Sequence, residues 1–274
     1  MKSTIIGFIG AGNMANGLIH GLIAKGTKSE NIWASDLDDS KLQLLAQDCG
    51  IRTGSNTDIA RSASVIVLAV KPQVMRDACK ALAADIGDRK VLLVSIAAGI
   101  TTSHLEGWFG ESAAIVRCMP NTPALVGMGA SGLFASTKVT EEQKQLAQEV
   151  ISTVGFATWV DADSDIDIVT AISGSGPAYF FLFMEAMQAT AKEMGLNEDL
   201  ARALTYHTAA GAAALAQYSE DDIATLRRNA TSPGGTTEQA ILKFEDGDLR
   251  GLVAKALKAA RTRSVELAEE IDRT

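Results

Sequence analysis

The sequence is poor in the residues that build covalent staples, metal centres and nucleic-acid surfaces. Three cysteines in 274 residues (Cys49, Cys79 and Cys118) are too few, and odd in number, for a disulfide framework. Neither these nor the three histidines (His20, His104 and His207) fall at zinc-ligand spacing, so no metal is expected. Basic residues are outnumbered, 25 Lys and Arg against 33 Asp and Glu, and the net charge of −8 argues against nucleic acid or an anionic membrane as partner. A local site for an anionic small molecule remains compatible with that balance. No stretch reads as long and apolar enough to span a bilayer. Met1-Lys2-Ser3-Thr4 leads straight into a strand without a signal-type apolar region, so a cytoplasmic location is expected. Aromatic residues make up only 5%, which leaves Ala, Val, Ile and Leu to fill the core, as in parallel sheets covered by helices.

What is present is a pattern of short apolar runs alternating with helical segments. Strand-like runs occupy 4–10, 31–35, 64–70, 90–96, 113–118, 132–134 and 157–160, with helical segments from Met14 and at 38–48, 72–85 and 140–153. From about residue 164 every segment has helical period: 176–195, 197–217, 219–229, 235–246 and 248–272. The expected class is therefore α/β. An N-terminal Rossmann-type, doubly wound sheet over 1–163 precedes an all-helical domain for substrate binding and dimerisation over 164–274. The second half is rich in alanine, including Ala209, Ala210, Ala212, Ala213 and Ala214, so its helices can approach closely.

The first strand ends in Gly10-Ala11-Gly12-Asn13-Met14-Ala15, a G-x-G-x-x-A loop opening directly into a helix. The first glycine allows a tight turn and the second lets a pyrophosphate approach the backbone. The small third position permits strand–helix contact, and the helix start faces the phosphates. A ligand-free tight turn would not require both glycines. Ser35 and Asp36 end the second strand. An acid there accepts from an adenosine ribose and repels a 2′-phosphate, which leans toward NADH or tolerance of both cofactors; a solvated acid or helix cap is the plainer alternative. Ala69-Val70-Lys71-Pro72 ends a later strand, where Lys71 is a cofactor contact, a proton donor or a surface lysine. Ala97 and Ala98 follow another strand with side chains small enough for a flat ring to approach, and Asn121 lies in the rigid Met119–Pro123 bend. Both could also be simple connections.

Two further loops are chemically distinctive. Ser173-Gly174-Ser175-Gly176-Pro177-Ala178-Tyr179 enters a long helix. Asn229-Ala230-Thr231-Ser232-Pro233-Gly234-Gly235-Thr236-Thr237 enters another, bringing hydroxyls and amides to a helix start suited to a carboxylate. An ordinary N-cap with turn residues would look similar from that loop alone.

Together these segments, with Ser95-Ile-Ala-Ala-Gly99 and Arg117-Cys-Met-Pro-Asn-Thr-Pro-Ala124, closely resemble the pyrroline-5-carboxylate reductase family, in family order across nearly the whole chain. The resemblance implies reduction of a cyclic imine, Δ1-pyrroline-5-carboxylate, to L-proline by NADPH or NADH, without a metal. It implies a homodimer, often built into larger rings. It assigns Gly10 to Ala15, Asp36, Asn56, Ala69 to Pro72 and Ala97 to the nucleotide. Ser232, Thr236 and Thr237 go to the substrate carboxylate and ring nitrogen, with Asn229 nearby and the Gly234–Thr237 turn supplying amides. Thr237 is the candidate catalytic hydroxyl. Many relatives carry a neutral residue at the position of Asp36, so this chain departs from the pattern suited to NADPH. A β-hydroxyacid dehydrogenase would share the glycine loop, but Ala178 to Ala191 contains no lysine of the kind such enzymes use. A non-catalytic dinucleotide-binding scaffold is the other alternative, and it leaves the hydroxyl-rich loop unexplained.

Overall fold

The computed structural model describes residues 4–273. Met1–Ser3, on which part of the signal-peptide reading rested, and Thr274 lie outside the described residues. The chain forms β1 (Ile6–Ile9), α1 (Asn13–Ala24), β2 (Ile32–Ser35), α2 (Asp39–Cys49), β3 (Arg52–Thr53), α3 (Asn56–Ser62), β4 (Val65–Leu68), α4 (Pro72–Ile86), β5 (Leu92–Ser95) and α5 (Thr102–Phe109). Then follow β6 (Ala114–Met119), β7 (Gly129–Ala135), α6 (Glu141–Ile151), β8 (Gly155–Trp159) and α7 (Asp165–Val169). The remaining helices are α8 (Gly176–Glu193), α9 (Glu198–Tyr218), α10 (Ile223–Asn229), α11 (Thr236–Asp246) and α12 (Leu249–Asp272).

Two compact units result. Among the described residues the first comprises 4–175 together with 259–273, and the second is Gly176–Lys258. This division differs from the expected boundary at 163/164 in two ways: α7 and the turn up to Ser175 stay with the first unit, and the end of α12 returns to it. There the Ser264 hydroxyl donates to Asp167 Oδ1 at 2.8 Å, and Arg76 donates to the Ile271 carbonyl at 3.1 Å.

In the first unit the strands run β3-β2-β1-β4-β5-β6-β7-β8, all parallel except for the β6–β7 pair. Strands only four residues long suffice because alternate side chains enter different cores. Val65, Val67, Leu92 and Val94 join Leu18 and Leu22 of α1, Leu45 of α2 and Val150 of α6. Ile66, Leu68 and Leu93 join Ile59 of α3, Met75 and Leu82 of α4 and Leu105 of α5. Continuous apolar runs are what a sheet covered on both faces requires. The strand expected at 132–134 extends over Gly129–Ala135 and, with β8 parallel beside it, runs opposite to the other six.

The second unit is helical throughout. Helix α10 begins at Ile223 instead of 219, since the Asp222 carboxylate accepts from the Thr225 amide at 2.7 Å and caps it there. One expectation needs correction. A π-turn over Thr170–Gly174 links α7 to α8, so 165–193 forms one helical run with a mean hydropathy of 1.3 in its most apolar window, long and apolar enough to cross a membrane. Read as separate segments, the sequence concealed that length. Phe180, Phe181 and Leu182 on α8 are exposed, as are Leu215, Leu242 and Leu252 elsewhere in the unit.

Candidate active site

The strand order reverses between β1 and β4, and in open parallel sheets ligands bind at the carboxyl ends beside such a switch point. The loop after β1 is built for that place. Gly10 has φ +100°, and a Cβ there would lie 2.8 Å from the Ala69 carbonyl oxygen. Its amide donates to the Ser35 carbonyl at 2.8 Å. Gly12 differs: its φ of −71° suits any residue, and nothing lies within 4 Å of where its Cβ would be. The protein itself gives no steric reason for glycine there. Gly12 is the N-cap of α1 and makes no side-chain cap, so the first-turn amides face outward beside exposed Asn13, while Ala15 packs into the core and Met14 lies half-buried.

At the end of β2, Asp36 turns toward this loop. Its Oδ2 accepts from the Ala11 amide at 2.7 Å and its Oδ1 from the Asp38 amide at 3.0 Å. The carboxylate therefore braces the glycine loop, while the cap of α2 is Asp38, whose side chain accepts from the Ser40 and Lys41 amides. Those hydrogen bonds also hold the Asp38 carboxyl below its ordinary pKa, with the Ser40 hydroxyl the largest cause. Leu37 between them is fully exposed. Ser35 is buried, and its hydroxyl donates to Asn56 Oδ1 at 2.6 Å, linking β2 to the start of α3.

Ala69 and Val70 follow β4 half-buried. Exposed Lys71 precedes Pro72, which opens α4. Ala97 is buried and Ala98 half-buried just beyond β5. The nucleotide residues expected from sequence thus lie along the carboxyl edge of β2, β1, β4 and β5. Asn121 follows β6 on the same edge, but both ends of its side chain are engaged. Its Nδ2 donates to the Ser173 carbonyl at 3.0 Å and its Oδ1 accepts from the Ala130 amide at 2.9 Å.

In the second unit the hydroxyl-rich segment forms the turn between α10 and α11. Gly234 has φ +69° and its amide donates to Glu238 Oε2 at 2.8 Å; the Gly235 amide donates to the Ser232 carbonyl at 3.0 Å. Thr231 donates to the Arg227 carbonyl at 2.6 Å. Gly235 is the N-cap of α11 and carries no capping side chain, so the amides of Thr236 and Thr237 begin the helix without intrahelical partners. Asn229, Ser232, Thr236 and Thr237 are exposed and Gly235 is half-buried.

One group went unrecognised in the sequence. Arg117, on β6, is 1% exposed. Its Nη1 donates to Asp163 Oδ2 at 2.7 Å and its Nη2 to Asp167 Oδ1 at 3.2 Å. Asp163 also accepts from the Thr102 amide and hydroxyl, so the cluster joins β6, α5 and the segment before α7. A lone arginine inside an apolar strand was the signal, since a buried charge requires buried partners.

Residues 163–267 match the model for pyrroline-5-carboxylate reductase dimerisation, and residues 5–99 match one described as NADP oxidoreductase, coenzyme F420-dependent. The pyrroline-5-carboxylate reductase of Pseudomonas aeruginosa is 48% identical over 272 residues, covering 99% of both chains. The chain belongs to the pyrroline-5-carboxylate reductase family. A structure of the Coxiella burnetii reductase aligns with a TM-score of 0.93 at 44% identity, covering 97% of this chain and 99% of that one. The Plasmodium falciparum reductase, solved with NADP bound, aligns at 0.87 and 29%, covering 98% and 99%. Within this family the two halves of the sequence reading, a dinucleotide fold and a helical domain, belong together, and the reaction class is NAD(P)-dependent imine reduction.

Proposed function

We propose that the chain reduces Δ1-pyrroline-5-carboxylate to L-proline, with the turn before α11 as substrate seat and the carboxyl edge of the sheet as nucleotide seat. The observation that carries this reading is the uncapped, exposed start of α11. The Thr236 and Thr237 amides and the Ser232 hydroxyl offer donors to a carboxylate, and the helix end adds favourable potential for an anion. The Thr237 hydroxyl hydrogen-bonds the ring nitrogen. A cyclic imine is partly protonated near neutrality, and the iminium is already electrophilic. The site therefore needs to orient it more than to acidify it. A bound nicotinamide would supply the hydride for the new C–H bond, and the Thr237 hydroxyl would hold the ring nitrogen in place for it.

The glycine loop fits the cofactor's pyrophosphate, because Gly12 leaves open space at a helix start. NADPH and NADH both serve as donors in this account. Asp36, Asp38 and Asp39 crowd the end of β2 with negative charge and weight the choice toward NADH, while exposed Leu37 offers an apolar surface to the adenine. We assign the exposed apolar faces of the helical unit, α8 included, to a second copy in a homodimer, with a ring of dimers as a larger form. That assignment replaces lipid as their cover, and a cytoplasmic location goes with it.

Thr237→Ala tests the reading. Losing one hydrogen bond to a charged group costs about 1.5–3 kcal/mol, so kcat/KM for pyrroline-5-carboxylate should fall about 10- to 150-fold with cofactor affinity nearly unchanged. Undiminished turnover in the variant removes Thr237 from the mechanism.

A further inference from the structure

The sequence showed no metal-ligand spacing, yet folding brings three ligand types together between α1 and α2, where Asp48 shares a surface cavity with Ala11, Gly12 and Asn13 of the glycine loop. His20 stands on the outer face of α1, and Asp48 and Cys49 end α2, whose terminus lies beside it. His20 Nε2 is 2.9 Å from Asp48 Oδ2. Cys49 Sγ lies 3.4 Å from that nitrogen and 3.8 Å from Nδ1. Among the described residues, the three ligand atoms all lie within 4.8 Å of one another.

The other ring nitrogen has a defined role. Nδ1 lies 2.9 Å from the Asn16 carbonyl oxygen, which can only accept, so Nδ1 carries a proton. In the neutral ring Nε2 is then an acceptor, and it faces a carboxylate oxygen, also an acceptor. Two acceptors at 2.9 Å require a cation between or upon them, either a second proton or a metal. A backbone carbonyl on the far nitrogen is also the usual partner that orients a metal-binding imidazole.

The separations suit a tetrahedral ion. Zinc bonds of about 2.0–2.1 Å to nitrogen or oxygen and 2.3 Å to sulfur place N and S about 3.5 Å apart and N and O about 3.3 Å apart. Nε2 and Oδ2 need to part by only a few tenths of an ångström. Sγ, nearly as close to Nδ1 as to Nε2 and so over the ring face, must move by more than about 1 Å relative to the imidazole to meet the Nε2 lone pair. His20 and Asp48 are exposed and free to turn. We propose that His20, Asp48 and Cys49 form a surface site for one zinc-class divalent cation, bound by imidazole, carboxylate and thiolate with water in the fourth position. Binding releases the thiol proton, and it joins α1, the helix that opens at the glycine loop, to α2.

Cobalt(II) is the probe, because a thiolate ligand gives it a sulfur-to-metal charge-transfer band. The intact, reduced protein titrated at about pH 8, above the ordinary histidine range, should develop that band with one equivalent per chain, and zinc should displace it. Cys49→Ser should abolish the band, and His20→Ala and Asp48→Asn should each weaken binding at least ten-fold. The other thiols do not compete. Cys79 is buried, with its pKa pushed up to about 12, and Cys118 is fully enclosed and raised further by the same desolvation. Absence of the band, or a band that survives Cys49→Ser, overturns the proposal. His20 and Asp48 are exposed and Cys49 is half-buried against the core, and unchanged circular dichroism confirms that each variant is folded.

Discussion

Replacing Gly12 and Gly10 separately by alanine distinguishes a glycine needed for a ligand from one needed for the fold. At Gly12 the backbone angles are open to alanine and the new methyl meets nothing within 4 Å. Alanine is a poorer N-cap than glycine, but it restricts the unfolded chain. The net change should stay within about 1 kcal/mol, or about 2–4 °C in Tm for a chain of this size. The methyl nevertheless stands where a pyrophosphate would approach. Overpacking of about 1–3 kcal/mol corresponds to a loss of about 5- to 150-fold in NAD(P)H affinity. At Gly10 the balance reverses. The φ of +100° and a Cβ 2.8–3.0 Å from Ala69 and Val70 backbone atoms combine strain with a clash that no side chain can relieve. About 2–6 kcal/mol of stability should be lost. Thermal melts of the free proteins, with cofactor binding followed by NAD(P)H fluorescence, separate the two effects. A Gly12→Ala protein that binds cofactor normally would refute the placement of the pyrophosphate on this loop.

Two other perturbations probe the same unit. Arg117→Met leaves Asp163 and Asp167 without their buried cation and should cost about 3–5 kcal/mol in denaturant unfolding; a change under 1 kcal/mol would show the cluster to be solvated. Asp36→Ser removes one charge from the β2 corner and should raise the NADPH-to-NADH ratio of kcat/KM about ten-fold or more, whereas an unchanged ratio would assign Asp36 only to bracing the Ala11 amide.

The parts legible in the sequence were those carried by local pattern. Val65–Leu68 and Leu92–Ser95 read as buried strands because both faces of the sheet are covered, and Gly10–Ala15 declared both its turn and its helix. The short elements gave no such signal. Two-residue β3 and seven-residue α3 are too brief for periodicity, and they are held by neighbours such as Trp33, which pairs with Arg52 in register. The return of α12 to the first unit depends on Ser264 meeting Asp167, a contact 97 residues apart. At the site, the glycine and hydroxyl residues were visible as types, but their orientation was not. Asp36 turned toward Ala11, Ser35 toward Asn56, and Asn121 into a bridge between two carbonyl and amide partners, all through pairings that no spacing rule encodes. The cluster of His20 with Asp48 and Cys49 escaped for the same reason, since two helices bring it together across 28 residues.

The most direct test of the central claim is steady-state oxidation of NADH and of NADPH by the purified protein in the presence of Δ1-pyrroline-5-carboxylate, with proline quantified as product. The account predicts cofactor consumption matched one-to-one by proline, with at least one of the two cofactors. No oxidation with either cofactor, or oxidation without proline, would contradict it.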